Sequence, residues 1–71
     1  MSLNHVPRDK NRKPLKLGQW VEGEIQLGRH GPPNFIFGKL LVFSGPDKSV
    51  IQTDEGRGYE VENAKIEIKI D

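Results

Sequence analysis

The chain has 71 residues, enough for one domain that buries only about 60% of the surface its unfolded chain exposes. It contains no cysteine, which excludes a disulfide framework and a thiolate metal site. No apolar run approaches the ~20 residues of a membrane span and no signal-peptide core follows Met1, so we expect a cytoplasmic protein without membrane contact.

Charge is distributed unevenly along the chain. The net charge is +1, but residues 1–16 carry five basic side chains against Asp9 alone, and the rest of the chain carries six basic against nine acidic side chains. The first segment has two prolines and few apolar groups, so it cannot offset the entropy of becoming ordered. We therefore predict a disordered, flexible basic arm over residues 1–16 and a domain over residues 17–71. Leu15 and Leu17 are expected to attach the end of the arm to the domain.

The first strand is predicted where apolar and polar residues begin to alternate. From Val21 to Leu27, apolar side chains occupy one face and carboxylate or amide side chains the other, which is typical of a half-buried strand. Strict alternation places Trp20 on the outer, polar face, where an exposed indole would contact a partner. The alternative is that the strand begins after Trp20 or contains a bulge, in which case Trp20 fills one end of the interior.

The segment Gly28–Asn34 is predicted to be a loop, because its two prolines cannot belong to a central strand. It carries Arg29 and His30 between two glycines, whose backbone N–H groups can approach an anion closely. An anion-binding loop and an ordinary connection are both compatible with this composition.

The second predicted strand, Phe35–Phe43, is apolar on both faces. Alternation separates its large side chains into one set with Phe35, Phe37, Leu41 and Phe43 and another with Ile36, Leu40 and Val42. One set must line the interior, and the other must be covered by the arm, a partner chain or a ligand. Aromatic side chains on an open β-face stack on unpaired bases, and they equally form a homodimer or adaptor interface. Gly38 in the middle predicts a bulge or a sharp bend.

Three further strands are predicted downstream, at Ser49–Thr53, at Tyr59–Val61 and from Ile66 to Ile70, where isoleucines alternate with charged residues. No window of useful length has helical spacing. Five short strands separated by glycine and proline turns predict an all-β domain, a small closed or nearly closed barrel. An SH3-like barrel and an OB-fold both fit this pattern.

Two stretches resemble known barrel families. Residues 49–61, followed by Ile66, resemble the closing hairpin of SH3-like barrels of the Tudor and KOW kind, where a strand, an acidic-Gly turn, an aromatic strand and a short last strand follow in this order. Residues 15–32 are similar to the C-terminal strand pair of cold-shock OB domains, with a Leu-x-x-Gly-Gln-x-Val run leading to Gly-Arg-x-Gly-Pro. Here that run opens the domain instead of closing it, so no binding residue is transferred from the second family. The first resemblance implies a five-stranded SH3-like barrel, with an OB-fold-like barrel as the alternative.

Groups suited to catalysis or metal binding are scarce. The histidines are His5 and His30, and the serines have no evident base with an orienting acid. The carboxylates alternate outward on strands or lie in turns, and no cluster has the spacing of metal ligands. We therefore expect no catalytic activity, no cofactor and no metal site.

Two classes of non-catalytic binding module remain. The first binds nucleic acid or a nucleoprotein assembly, because a basic arm neutralises phosphates whatever their sequence. Its candidate contacts are Arg8, Lys10, Arg12, Lys13, Lys16, Trp20, Arg29, His30, Phe35 and Phe37. The second is a protein–protein or homodimeric assembly module that uses the aromatic face of the second strand. The acidic body also suits a small regulatory inhibitor that presents carboxylates to a basic site.

Overall fold

The computed structural model describes residues 6–26, 28 and 30–70. This part of the chain contains no helix long and apolar enough to cross a membrane. Its elements are β1 (Trp20–Gln26), β2 (Pro33–Phe43), β3 (Lys48–Gln52), β4 (Gly58–Glu62), a short 3₁₀ turn (Asn63–Lys65) and β5 (Ile66–Ile70). The predicted all-β fold class is confirmed. Leu27, the predicted end of the first strand, lies outside the described residues.

The strands form one antiparallel sheet in the order β4-β3-β2-β1-β5. The sheet is not closed, because β4 and β5 are its two edges, and of the predicted closed or nearly closed barrel the structure has a barrel-like, open form. A Cβ added at Gly23 in β1 would lie 2.6 Å from Cδ1 of Ile51 in β3 and 3.3 Å from Cγ2 of Val61 in β4. Neither strand is paired with β1, so these distances place β1 opposite β3 and β4 across the core.

β2 lies very close to β3 at its centre. A Cβ at Gly38 would overlap the carbonyl oxygen of Gln52, so the backbones of β2 and β3 approach too closely for any side chain there. Just beyond, the register with β3 shifts between Leu40 and Val42, which is a β-bulge. The predicted irregularity near Gly38 is therefore present. The bulge also inverts the alternation, because Val42 is exposed whereas Phe43 packs against the core.

The core lies on the concave face of the sheet. Its buried apolar side chains come from the N-terminal segment and from each of the five strands: Leu15, Val21, Leu40, Ile51, Val61 and Ile66. A buried hydrogen bond, in which the Ser49 hydroxyl donates to Oδ1 of Asn63 (2.5 Å), connects β3 to the 3₁₀ turn. Every strand thus contributes to a single small core.

Residues 6–16 are packed on the sheet, which differs from the flexible arm predicted for them. Asp9 is only 4% exposed, and its carboxylate accepts hydrogen bonds from the backbone N–H groups of Asn11 (2.9 Å), Lys13 (2.8 Å) and Ile68 (3.2 Å). The N–H of Lys10 donates to the carbonyl oxygen of Ile66 (2.8 Å). The segment therefore covers the outer edge of β5.

Two leucines were expected to attach this segment, and they behave differently. Leu15 is 4% exposed and belongs to the core, whereas Leu17 is 53% exposed. The composition argument missed the attachment because it counted Asp9 only as a charge, and a carboxylate can also satisfy three backbone donors. Residues 1–5, the start of the predicted arm, lie outside the described residues.

Candidate functional site

The convex face of the sheet carries a row of exposed apolar side chains along β2. Phe35 and Phe37 are each 56% exposed, and the row continues with Leu41 (49%) and Val42 (45%). We call these four residues the apolar stripe. Exposed Lys39 separates the two phenylalanines from Leu41 and Val42. Single exposed apolar side chains are common on proteins, so it is the grouping of four on one strand that makes this surface a candidate site.

The pleat of β2 explains why the two phenylalanines point outward. Ile36 is half-buried, and Gly38 and Leu40 are buried against the concave core. Successive side chains of a strand alternate between faces, so Phe35 and Phe37 must lie on the other side. Turning the two rings inward would move Ile36, which lies between them, out of the core.

Trp20 lies beside the middle of this surface, level with the gap between Phe37 and Leu41. It is half-buried and opposite Lys39 in the β1–β2 register, and the Lys39 ammonium lies 5.8 Å from the ring centroid. Its neighbour Val21 is fully buried. The register with β5 shifts between Trp20 and Val21, so the irregularity of the alternative interpretation is present. Trp20 nevertheless lies on the outer face, because direct partners in a ladder share a face and Lys39 is exposed.

Carboxylates line the β1 side of the stripe. In the β1–β2 register Glu24 is the direct partner of Phe35, and Glu22 is the direct partner of Phe37. Glu22 forms an ion pair with Lys69 (3.1 Å). Glu24 has no ion pair with any described residue, so its charge is available to a ligand.

A chain of ion pairs runs from β1 across β5 to the N-terminal segment. Lys69 lies between Glu22 and Glu67 (3.3 Å to Glu67), and Glu67 also contacts Lys10 (3.6 Å). The hydrogen bond from Lys69, followed by the charge of Lys10, lowers the pKa of Glu67 below its ordinary value. The hydrogen bonds to Glu22 and then to Glu67 raise the pKa of Lys69. Both shifts favour the charged forms on an exposed surface.

This arrangement separates the two halves of the predicted nucleic-acid site. Lys10 forms an ion pair with Glu67, and Nη1 of Arg8 donates to the carbonyl oxygen of Arg12 (2.8 Å) within the N-terminal segment. Glu22, Glu24 and Glu67 lie between that segment and the two phenylalanines in the strand order. The basic segment and the aromatic side chains therefore form two surfaces instead of one.

The basic segment borders a groove of its own. This groove has a volume of about 470 Å³ and is lined by Lys13, Pro14, Lys16, Leu17, Gln19 and Ile68. The backbone N–H of Lys16 donates to Oε1 of Gln19 (2.7 Å), and neither Lys13 nor Lys16 forms an ion pair with a described residue. Two cations beside apolar walls suit an anion with an apolar part.

The loop between β1 and β2 adds little to either surface in the described residues. His30 is exposed, and Nε2 of Gln26 donates to the carbonyl oxygen of Gly31 (3.1 Å) across the loop. Arg29 lies outside the described residues, so the predicted anion site at this loop stays a prediction.

The polar side chains show no constellation for catalysis among the described residues. Ser49 is fully buried and its hydroxyl donates to an amide oxygen, not to a base. Within the same residues no group of three or more histidine, aspartate or glutamate side chains could hold a metal ion.

One feature of β2 was not predicted from the sequence. β2 pairs with β1 along Pro33–Lys39, but its pairing with β3 begins only at Lys39, opposite Gln52. The first half of β2 therefore has a strand neighbour on one side only within the described part of the chain. The glycine at position 38 was the available signal, because a glycine inside a strand often marks the close approach of another backbone.

Comparisons of the chain with protein-family models, with curated protein sequences and with solved structures find no match. The function of this surface has to be argued from its own geometry.

Proposed function

We propose that this protein is a non-catalytic protein-interaction module, and that the apolar stripe and Glu24 form its docking surface. The observation that carries this proposal is the pairing of two 56%-exposed phenylalanines with a carboxylate that has no ion-pair partner among the described residues. The partner we propose is a protein segment with both apolar and basic side chains.

The energetics of association favour this kind of partner. Burying a phenylalanine side chain contributes about 1.5–3 kcal/mol, and aromatic residues are enriched among the side chains that dominate protein interfaces. The carboxylates beside the stripe attract a cationic partner and select against an acidic one. The same carboxylates oppose a phosphate backbone laid along the stripe.

The topology supports the SH3-like interpretation over the OB-fold. Four consecutive strands are joined as hairpins and β5 pairs with β1, whereas an OB-fold is a Greek-key barrel. We propose an open SH3-like architecture, with function assigned from the surface and not from the fold.

Selection from a random peptide library displayed on phage tests this function, because the library supplies candidate partners of every composition. We expect the wild-type protein to enrich peptides that combine apolar with basic residues. The double variant Phe35→Thr with Phe37→Thr keeps β-propensity but removes both rings, and it should bind the selected peptides at least tenfold more weakly. Leu17→Thr is the matched control, because Leu17 is equally exposed but lies outside the stripe. Equal binding by the double variant would refute the docking surface.

A second function, nucleic-acid binding, is favoured by a different observation. Arg8, Arg12, Lys13 and Lys16 lie on the ordered N-terminal segment, and none of them forms an ion pair with a described residue. We propose single-stranded nucleic acid for this surface, since single strands offer phosphates together with bases that fit an apolar groove.

Fluorescence anisotropy with a labelled 15-nucleotide DNA at low salt tests the second function. Binding should weaken with salt, and the slope of log K against log salt should fall in magnitude by about 1.4 in a Lys13→Glu, Lys16→Glu variant, because each phosphate contact on a single strand contributes about 0.7. Lys48→Glu on β3 is the control that changes charge elsewhere. Absence of binding at tens of micromolar protein would rule this function out.

A further inference from the structure

We propose that the partner binds by adding a strand to the open edge of β2 at residues 34–38, so that main-chain hydrogen bonds to Phe35 and Phe37 hold it beside the apolar stripe. This inference rests on the proposed protein-binding function and names the partner's binding mode: an extended segment with alternating apolar and basic residues.

The hydrogen-bond pattern identifies which backbone groups face the open edge. The N–H of Leu40 donates to the carbonyl oxygen of Gln19 (2.9 Å), and the carbonyl of Leu40 accepts from the N–H of Gly18 (2.8 Å), so Leu40 bonds toward β1. The β1–β2 register is regular from Lys39 to Pro33, and in an antiparallel ladder successive residues bond to opposite sides.

This alternation fixes the direction of the other backbone groups. The N–H and C=O groups of residues 34, 36 and 38 therefore point toward β1, and those of residues 35, 37 and 39 point away from it. Lys39 meets β3 at Gln52. The corresponding groups of Phe35 and Phe37 have no hydrogen-bond partner among the described residues.

The edge is open because β3 leaves β2 at this point. The N–H of Thr53 donates to the carbonyl oxygen of Arg57 (2.9 Å), and the N–H of Gly56 donates back to the carbonyl of Thr53 (2.9 Å), so the chain turns into β4. Four unpaired backbone groups on the outward-pointing residues of β2 remain next to two exposed rings.

The edges of β4 and β5 are protected, whereas the edge of β2 at residues 34–38 is not. β5 is covered by Asp9 and Lys10, and β4 carries the exposed charges of Glu60 and Glu62. Edge strands are commonly protected by charged residues or by covering segments. Between Asn34 and Gly38 the edge of β2 has no charged residue and no cover from described residues.

The surroundings of the edge specify the chemistry of the added strand. Side chains of the added strand on the outer face would lie beside the phenylalanine rings. They would be about 10 Å from Glu22 and Glu24, because two strand spacings separate the added strand from β1. A lysine or arginine can cross a ring with a favourable cation–π contact and reach the carboxylate of Glu24. Asp54 and Glu55, exposed on the turn that begins where the open edge ends, add negative charge. A second copy of this chain that paired through its own residues 34–38 would supply apolar side chains but no cation from that segment, so we assign the edge to a different, basic segment.

Amide hydrogen exchange measured by NMR tests the binding mode. In the dilute free protein we expect fast exchange at Phe35 and Phe37 and slow exchange at Ile36 and Gly38. A ten-residue peptide of alternating lysine and valine, added at millimolar concentration, should slow exchange at Phe35 and Phe37 at least tenfold, and the matching glutamate–valine peptide should not.

Five results would overturn the inference. Protection of Phe35 and Phe37 in the dilute free protein would show that the edge is already paired. Peptide-induced shifts at the stripe without protection of these amides would refute strand addition but leave the proposed function intact, whereas no shifts at the stripe would count against both. Protection that grows with protein concentration without peptide would assign the edge to a second copy. Equal protection by the glutamate–valine peptide would refute the basic partner.

Chemical synthesis of the chain allows a single-atom control. Replacing the amide of Phe37 by an ester removes its N–H and keeps the ring, and it should weaken the lysine–valine peptide about tenfold. Folding should be little affected, because that N–H has no partner among the described residues and the ester otherwise only weakens the Ile36 carbonyl as an acceptor toward β1. An ester at Asp47, whose N–H donates no hydrogen bond to a described residue, is the matched control. Unchanged affinity in the Phe37 ester would refute a main-chain contact at this position.

Discussion

Replacing Asp9 with alanine tests whether residues 6–16 are part of the folded domain. The change removes the acceptor of three backbone N–H groups, those of Asn11, Lys13 and Ile68. In the variant, water can bind the N–H groups of Asn11 and Lys13, so the loss of each of these two hydrogen bonds costs about 0.5–1 kcal/mol. The N–H of Ile68 lies on the covered edge of β5, and the loss of its hydrogen bond is expected to cost about 1.5–3 kcal/mol. We expect Asp9→Ala to lower the free energy of unfolding by about 3 kcal/mol, a large fraction of the roughly 4–11 kcal/mol typical for 71 residues.

Urea denaturation measures this loss, and two variants isolate its cause. Asp9→Asn keeps one carbonyl oxygen, so at least one donor always faces the amide nitrogen, and the loss should be about half as large. Asp54→Ala removes an exposed turn carboxylate and should change stability by less than about 0.5 kcal/mol. Exchange of the Ile68 amide should accelerate in Asp9→Ala. A change below about 0.5 kcal/mol with an equally protected Ile68 amide would show that the segment does not stabilise the sheet.

Three further predictions concern the core and the surface charges. Gly38→Ala should destabilise the protein by several kcal/mol or prevent folding, because its Cβ would overlap a backbone carbonyl of β3. Thermal melting measures this loss beside the control Gly45→Ala, where the nearest atom is 4.0 Å away, and equal melting points would contradict the close approach of β2 and β3. Leu15→Ala should cost about 2–5 kcal/mol in urea denaturation, as expected for a core leucine, and a loss under about 1 kcal/mol would place Leu15 outside the core. The pKa of Glu67 is lowered in the folded state, so its contribution to stability is present above pH 4.5 and is lost as the pH falls below that value. Glu67→Gln should flatten this part of the pH–stability curve, and an unchanged slope would show that the ion pairs are not maintained in solution.

The convex face could be predicted from the sequence because its signals are local. The alternation from Val21 onward placed Glu22 and Glu24 outward, and the phenylalanines at positions 35 and 37 were correctly grouped on one face. The grouping failed beyond the bulge, where Phe43 turns inward. A bulge shifts every later side chain by one position, and the sequence indicates that it exists near Gly38 without locating it.

The N-terminal segment and the open edge could not be predicted, because both depend on distant parts of the chain. Asp9 bonds to the N–H of Ile68, 59 residues away, and no local pattern reports this contact. Likewise, the open edge of β2 depends on where β3 turns away at Thr53. Strand alternation indicates which face a side chain occupies, but it does not indicate which backbone groups have a neighbouring strand.

The anchoring of residues 6–16 also determines how the molecule behaves in an electric field. Cations on a free tail would average over many positions, but here Arg8, Arg12, Lys13 and Lys16 are held at one side of the body, with Glu24 and the acidic turn at positions 54 and 55 beyond the intervening strands. A net charge of only +1 therefore conceals basic and acidic groups at separate places on the molecule. For the cationic partner proposed above, this separation would guide its approach toward the carboxylate side at low ionic strength, and the guidance would be lost as salt is added.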